Sequence, residues 1–275
     1  YLAKAGFRLA AAVVANDEFP GFDALNQSWS TNEEAFKDIT LANGRISLVH
    51  EIPGTQGSEP LTAYGLTDEE SKLNINSKNE NMQLALQYLL MELSIEQNEA
   101  RLISMAVTDW KDEDGKASTP EEPSESEFYT KMASDLESGN QMRPSDWTFR
   151  PKNGPFGSVE ELLQIPGITP ELFYGSQWED SHTPAFFPQR PLKQFSRGNR
   201  PGLRDLVTVS AGSLNINTAS LPVLTAVFAA AGDNIEKGRG VAQAIIKHRG
   251  VDPSGYSEDS VFENVEDLNN VSDFD

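Results

Sequence analysis

The string Leu-Asn-Ile-Asn occurs twice in this chain, at Leu73–Asn76 and again at Leu214–Asn217. A hydroxyl residue follows each copy, Ser77 and Thr218, and a strongly helix-favouring segment comes next. Asn76 or Ser77, and Asn217 or Thr218, suit a helix N-cap, where a side-chain oxygen satisfies a free backbone N–H. Each copy therefore reads as a short strand that feeds a capped helix.

The repetition extends beyond the tetrapeptide. In the first copy helices are expected over Met82 to Leu93 and Glu99 to Trp110, and in the second over Pro222 to Ala231 and Gly240 to Arg249. Phe156-Gly-Ser-Val-Glu-Glu-Leu162 then echoes Phe262-Glu-Asn-Val-Glu-Asp-Leu268. Ser158 and Asn264 are N-cap residues here, with acidic side chains in the first turn, where the helix dipole favours them. From Leu73 to Phe156 is 83 positions and from Leu214 to Phe262 is 48, so the first copy carries 35 more residues, lying between Trp110 and Phe156. Two separated motifs recurring in one order imply a duplicated unit with one decorated copy.

Outside the two units the pattern changes. Tyr1 to Phe19 is Ala-rich and helix-favouring, and reads as the second half of a longer apolar helix. Pro20 and Gly21 break it. Gly44 to Ile52 alternates apolar and polar residues until Val49 slips the phase, which predicts a strand with one buried face, and Leu61 to Leu66 predicts a second. The stretch from Phe186 to Arg204 is rich in Pro and Arg, and Asp205 to Ser210 predicts a strand leading into the second copy. The organisation expected is an N-terminal helix over 1–19, a β region over 20–72, a first helical unit over 73–185 with an acidic insert at 111–155, a linker and strand over 186–213, and a second helical unit over 214–275.

Charge and composition narrow the function. With 42 acidic against 22 basic residues the formal charge is −20. Phosphate binding draws its affinity from Lys and Arg, so a nucleic-acid role is disfavoured even for the Phe- and Arg-bearing linker. The turn Ile165-Pro-Gly-Ile168 resembles a helix–hairpin–helix of the DNA-binding kind, but Glu160, Glu161 and Glu171 surround it. A nucleic-acid-binding or DNA-uptake protein is the alternative reading. The chain has no cysteine, so thiolate metal sites, disulfides and cysteine nucleophiles are excluded. His50, His182 and His248 lie apart from any nucleophile motif, and neither a phosphate-binding loop nor a dinucleotide fingerprint occurs. A carboxylate-based hydrolase in the envelope is a third reading; it requires two carboxylates facing each other in a deep cleft, a spacing that a structure and not a sequence shows. No enzymatic activity is expected.

The insert opens with Asp109-Trp-Lys-Asp-Glu-Asp-Gly115, and between 109 and 127 there are eight acidic residues and two lysines. Oxygen-only donors on a loop are what Ca²⁺ selects, whereas zinc would require His or Cys. The spacing is not that of an EF-hand, since Lys116 and Ala117 fall where that loop needs an acidic residue and Gly when counted from Asp112. On composition alone a solvated acidic loop is the simpler reading.

Several strings together resemble the minor pseudopilin K family of type II secretion systems: TDWKDEDG, an acidic stretch ending in Phe-Tyr, RPKNGPFGSVEELLQIPGITPELFYG, LNINTA and FENVEDL. The resemblance runs over nearly the whole chain and is most specific from Arg150 to Gly175. It implies an α+β fold, a pseudopilin N-terminal helix on a small antiparallel sheet, with a large inserted helical domain of two helix-hairpin-type, SAM-like repeats. It implies a structural subunit at the tip of the pseudopilus, partnered by the I and J minor pseudopilins. It also implies anchorage in the inner membrane by an upstream helix half, with this chain on the periplasmic side and closing strands after Asp275. Calcium is implied too, held by Asp109, Asp112, Asp114 and Glu125, with Glu113 and Glu127 as further donors and Phe128-Tyr129 replacing the family's Tyr-Tyr pair.

Overall fold

The computed structural model describes residues 1–41, 44–52, 61–118, 124–136, 148–175, 201–210, 212–249 and 261–271. The expected linker from Phe186 to Arg204 lies mostly outside them. Helix α1 spans Leu2–Ala15, one residue past the expected start and four short of the expected end. It packs on the strand Gly44–Ile46, with Gly6 as its buried residue, facing Ile46 and Leu48. Helix α2, Glu33–Phe36, is capped by Asn32, whose side chain accepts from Ala35 N–H at 2.9 Å.

The strand expected over 44–52 is divided. β1 (Ile39–Leu41) pairs antiparallel with β2 (Gly44–Ile46), and β3 (Val49–Ile52) pairs antiparallel with β4 (Leu61–Tyr64). The break between β2 and β3 falls at the phase slip at Val49. Leu48 bridges the two ladders, donating to Phe36 O at 2.9 Å and accepting from Gly65 N–H at 3.1 Å.

The helical part begins with β5 (Leu73–Asn74) and continues through α3 (Met82–Glu92), α4 (Gln97–Lys111) and α5 (Glu125–Leu136). A 3₁₀ segment, Val159–Gln164, leads through a turn at Gly167 into α6 (Pro170–Tyr174). Gly167 takes φ 85°, in the left-handed region where a side chain is strained. Short helix α7 (Leu203–Leu206) precedes β6 (Val207–Thr208); α8 (Leu221–Gly232), α9 (Ile235–Arg249) and a second 3₁₀ segment, Val265–Asn270, follow. The strand expected over 205–210 is thus reduced to two residues, because Asp205 accepts from the Gly202 N–H at 2.9 Å and holds the preceding turn helical.

β5 and β6 pair in parallel, Leu73 with Val207 and Asn74 with Thr208. Helix α3 packs on α4 and on α8, and α8 on α9; with this pair they share one apolar core, which runs from Leu73 and Ile75 to Phe262 and Val271. Both expected units contribute to it.

The two Leu-Asn-Ile-Asn copies make the same bonds. Asn76 Oδ1 accepts from Phe156 N–H at 2.9 Å, and its Nδ2 donates to Phe156 O at 2.9 Å. Asn217 does the same to Phe262, again at 2.9 Å in both directions. Each copy also has the same local turn, Asn76 N–H on Asn74 Oδ1 at 2.9 Å and Asn217 N–H on Asn215 Oδ1 at 3.0 Å. These roles correct the expected caps. Asn81 and Ser220, not Asn76/Ser77 and Asn217/Thr218, sit at the starts of α3 and α8. The asparagines hold the Phe signatures instead, and Thr218 donates to Asp68 at 2.6 Å.

Removing such an asparagine strands a backbone N–H and C=O at the phenylalanine, and each buried group so left costs about 1–3 kcal/mol. Asn76→Ala and Asn217→Ala are each expected to lower the unfolding free energy by about 2–4 kcal/mol in urea titrations. Asn→Asp at either site, which keeps the acceptor, should lose less. Alanine variants as stable as the parent would overturn this reading.

Candidate metal centre

Helix α4 is set by apolar residues on one face, Ala100, Ile103, Val107 and Trp110, all buried. Its start is capped by Glu96, which accepts from Asn98 N–H at 2.8 Å and from Glu99 N–H at 3.3 Å. Asp112 is its C-cap, in extended backbone conformation. Both Asp109 and Asp112 therefore sit at the negative end of the helix dipole, the unfavourable end for a carboxylate.

Helix α5 brings the other half of the site. Ser126 donates to Phe149 O at 2.8 Å, and Phe149 N–H donates to Thr130 Oγ1 at 2.9 Å. Trp110 lies between Phe149 and Phe156, its ring centroid 5.9 Å from each, and Tyr129 lies 5.0 Å from Phe149. This aromatic wall fixes α5 against α4, with Glu125 in the first turn of α5. A backbone bond from Glu125 N–H to Gly115 O at 3.3 Å draws the loop toward it.

Asp112, Asp114 and Glu125 converge there, each with a carboxylate oxygen within 4.8 Å of the others. Asp112 is half-buried, Asp114 exposed and Glu125 1% exposed. Asp112 Oδ1 and both Glu125 carboxylate oxygens are buried with no hydrogen-bond donor. In a cation-free protein the group that would satisfy them is a proton shared between the two carboxyls. Burial, then the charges of Asp112, Asp109 and Asp114, push Glu125 up to about 7. Burial, then Asp109 and Asp114, raise Asp112. Lys111 gives no neutralising contact, because its Nζ donates to Ile75 O at 2.6 Å, and burial pulls it down to about 8.

The donor set fits a hard divalent cation. It offers carboxylate oxygens only, exposed on the Asp114 side and buried on the Glu125 side; zinc would prefer nitrogen or sulfur. Orphaned, buried carboxylate oxygens are costly unless a counter-charge meets them.

The remaining residues of the expected site stand outside this group. Asp109 is fully buried and already engaged: its Oδ2 accepts from Tyr129 OH at 2.6 Å and from Ser118 N–H at 2.9 Å, and Ser118 Oγ meets its Oδ1. Glu113 and Glu127 are exposed and do not join the cluster. Sequence reasoning did not identify Ser118 or the Tyr129 hydroxyl as partners of Asp109, nor α5 as a helix. The spacing Phe128, Tyr129, Met132, Ala133 carries a helical period that could have located α5.

Fold and site define an α+β protein of packed helices and short strand ladders with a carboxylate cluster where the end of one helix meets the start of another. Residues 66–174 match the sequence profile of the family described as type II secretion system (T2SS), protein K. The fold is similar to a solved structure of the GspK–GspI–GspJ complex from the enterotoxigenic Escherichia coli type 2 secretion system. The identity is 17% and the TM-score 0.52, covering 100% of this chain and 75% of that one. No curated protein sequence matches the chain. Among the described residues no helix is long and apolar enough to cross a membrane.

Proposed function

We propose that this protein is a minor pseudopilin of a type II secretion system that works by assembly and not by catalysis. The match of residues 66–174 to protein K carries the proposal, and the fold shared with the GspK–GspI–GspJ structure supports it. The subunit sits at the tip of the pseudopilus on the periplasmic side of the inner membrane and helps initiate its assembly for protein export. Its partners are the I- and J-type minor pseudopilins of its own system. The helical part consists of two related units, as the matching Asn76–Phe156 and Asn217–Phe262 bonds support. The first unit binds Ca²⁺ through Asp112, Asp114 and Glu125, where the buried, donorless oxygens favour a cation. The acidic surface of the chain suits basic partners and not nucleic acid.

The test mixes this chain with the soluble portions of the I and J subunits of its own system and follows them by size-exclusion chromatography with light scattering. A ternary complex, formed in calcium and also with excess plasmid DNA present, is the expected outcome. Failure to bind either subunit, or preferential binding to the DNA, would sink the reading.

A further inference from the structure

The pocket and the Asp109 cluster are built from the same two helices. On α4, Asp109 and Asp112 are three residues apart; on α5, Glu125 and Tyr129 are four apart, so each pair lies along one helix face. This makes two rungs between the helices. The outer rung sets Asp112 and Asp114 against Glu125; Asp112 Oδ1 and both Glu125 carboxylate oxygens have no donor, while Asp114 Oδ1 accepts from Lys116 N–H at 2.8 Å. The inner rung joins Asp109 to Tyr129 at 2.6 Å and is complete without any ion. Ser118, on the far side of the acidic turn, is bound to the same Asp109 carboxylate at 2.9 Å through its N–H. The turn that carries Asp112 and Asp114 is therefore closed back onto α4. Burial and the Asp109 bond raise the Tyr129 hydroxyl, so it stays a donor across the physiological range.

Resting on the calcium reading above, we infer that Asp109 is a positioning residue and not a ligand: with Tyr129 and Ser118 it forms a clasp that sets the spacing of the cation site before the ion arrives. A clasp of this kind lowers the ordering cost of binding and fixes the cavity size, and cavity size and rigidity separate Ca²⁺ from Mg²⁺. A ligand held within about 0.5 Å of its productive place needs such support behind it.

The test uses Tyr129→Phe, which keeps the ring against Phe149 and Phe128 and removes only the hydroxyl. Calcium and magnesium affinities are measured by calorimetry on the whole chain, well below the melting temperature. For Tyr129→Phe we expect calcium affinity about tenfold weaker, with unchanged stoichiometry and a reduced calcium-to-magnesium ratio. Glu125→Gln should lose binding altogether. Ser118→Ala, which removes the hydroxyl but not the N–H, should fall between the parent and Tyr129→Phe. If the parent binds calcium and Tyr129→Phe binds it equally well with the same ion preference, the clasp is overturned and the site stands. Tighter binding by Tyr129→Phe would mean that a freed Asp109 ligates, and would also overturn it. No calcium binding by the parent would remove both readings.

Discussion

Gly238→Val is expected to lower the melting temperature of this protein by about 10 °C or more. Gly238 is buried where α9 crosses α8, and a Cβ there would lie 2.4 Å from Ala229 N, 2.7 Å from Ala229 Cα and 2.7 Å from Thr225 O. All three atoms are backbone, so no rotamer change relieves the clash and the helices must part. Overpacking costs about 1–3 kcal/mol and sometimes more, and three backbone collisions put this site at the upper end. For a chain of this size each kcal/mol moves the midpoint by about 2–4 °C. The control is on the same helix: a Cβ at exposed Gly240 would meet nothing within 4 Å, so Gly240→Ala should hold or raise the midpoint through its better helix propensity. Equal behaviour of the two variants in thermal melts would show that the α8–α9 crossing is looser than the structure has it.

The second large effect is expected at the pocket. Calcium at a hundredfold excess over its dissociation constant should stabilise the parent by about 2.7 kcal/mol, a midpoint rise of about 5–10 °C, and equimolar magnesium should give much less. Glu125→Gln should abolish that rise yet raise stability in EDTA above pH 7, where the parent's Glu125 carries a buried negative charge that has no partner. The metal-free parent carries a pH signature as well. Glu125 titrates near 7 when folded, against an ordinary value of 4.5. The folded state thus holds a proton that the unfolded state has released, so stability in EDTA falls as pH rises from about 4.5 to 7. Glu125→Gln should flatten that slope. A parent whose melting point in EDTA is unchanged over this window, and unmoved by calcium, would overturn the calcium reading of this cluster.

Much of the helical part was legible in the sequence. The four paired helices fall where apolar periodicity put them, with ends shifted by one or two residues except at α9, which begins five earlier, at Ile235. The Phe signatures were read correctly as paired, but as ordinary helices; both are 3₁₀ segments of six residues. The asparagines bridge to the Phe signatures where a cap is expected, because a capping residue and a bridging residue look alike in sequence. Asn76 has its partner 80 residues away, and no local pattern contains that distance. Helix α5 was hidden by polar residues on its outer face. Asp112, Asp114 and Glu125 were named from the resemblance to the family, and they do come together; that Asp109 turns inward to Tyr129 depends on how α4 and α5 dock, which no spacing encodes.

The parallel pair of β5 and β6 has a consequence for how the chain acquires its shape. Leu73 and Asn74 close on Val207 and Thr208. Asn76 Nδ2 reaches Val209 O across 133 positions, and Asp68 takes the Thr218 hydroxyl across 150. Contacts of such sequence separation form late, since the loop entropy must be met before they stabilise anything. A chain emerging from its N-terminus can make the α3–α4 hairpin early, yet β5 stays unpaired until Val207 and Thr208 have followed it. The core can therefore close only after the segment that reaches Phe262 and Val271 has been made. During that interval the exposed Leu and Ile faces of the first unit depend on whatever holds nascent chains apart.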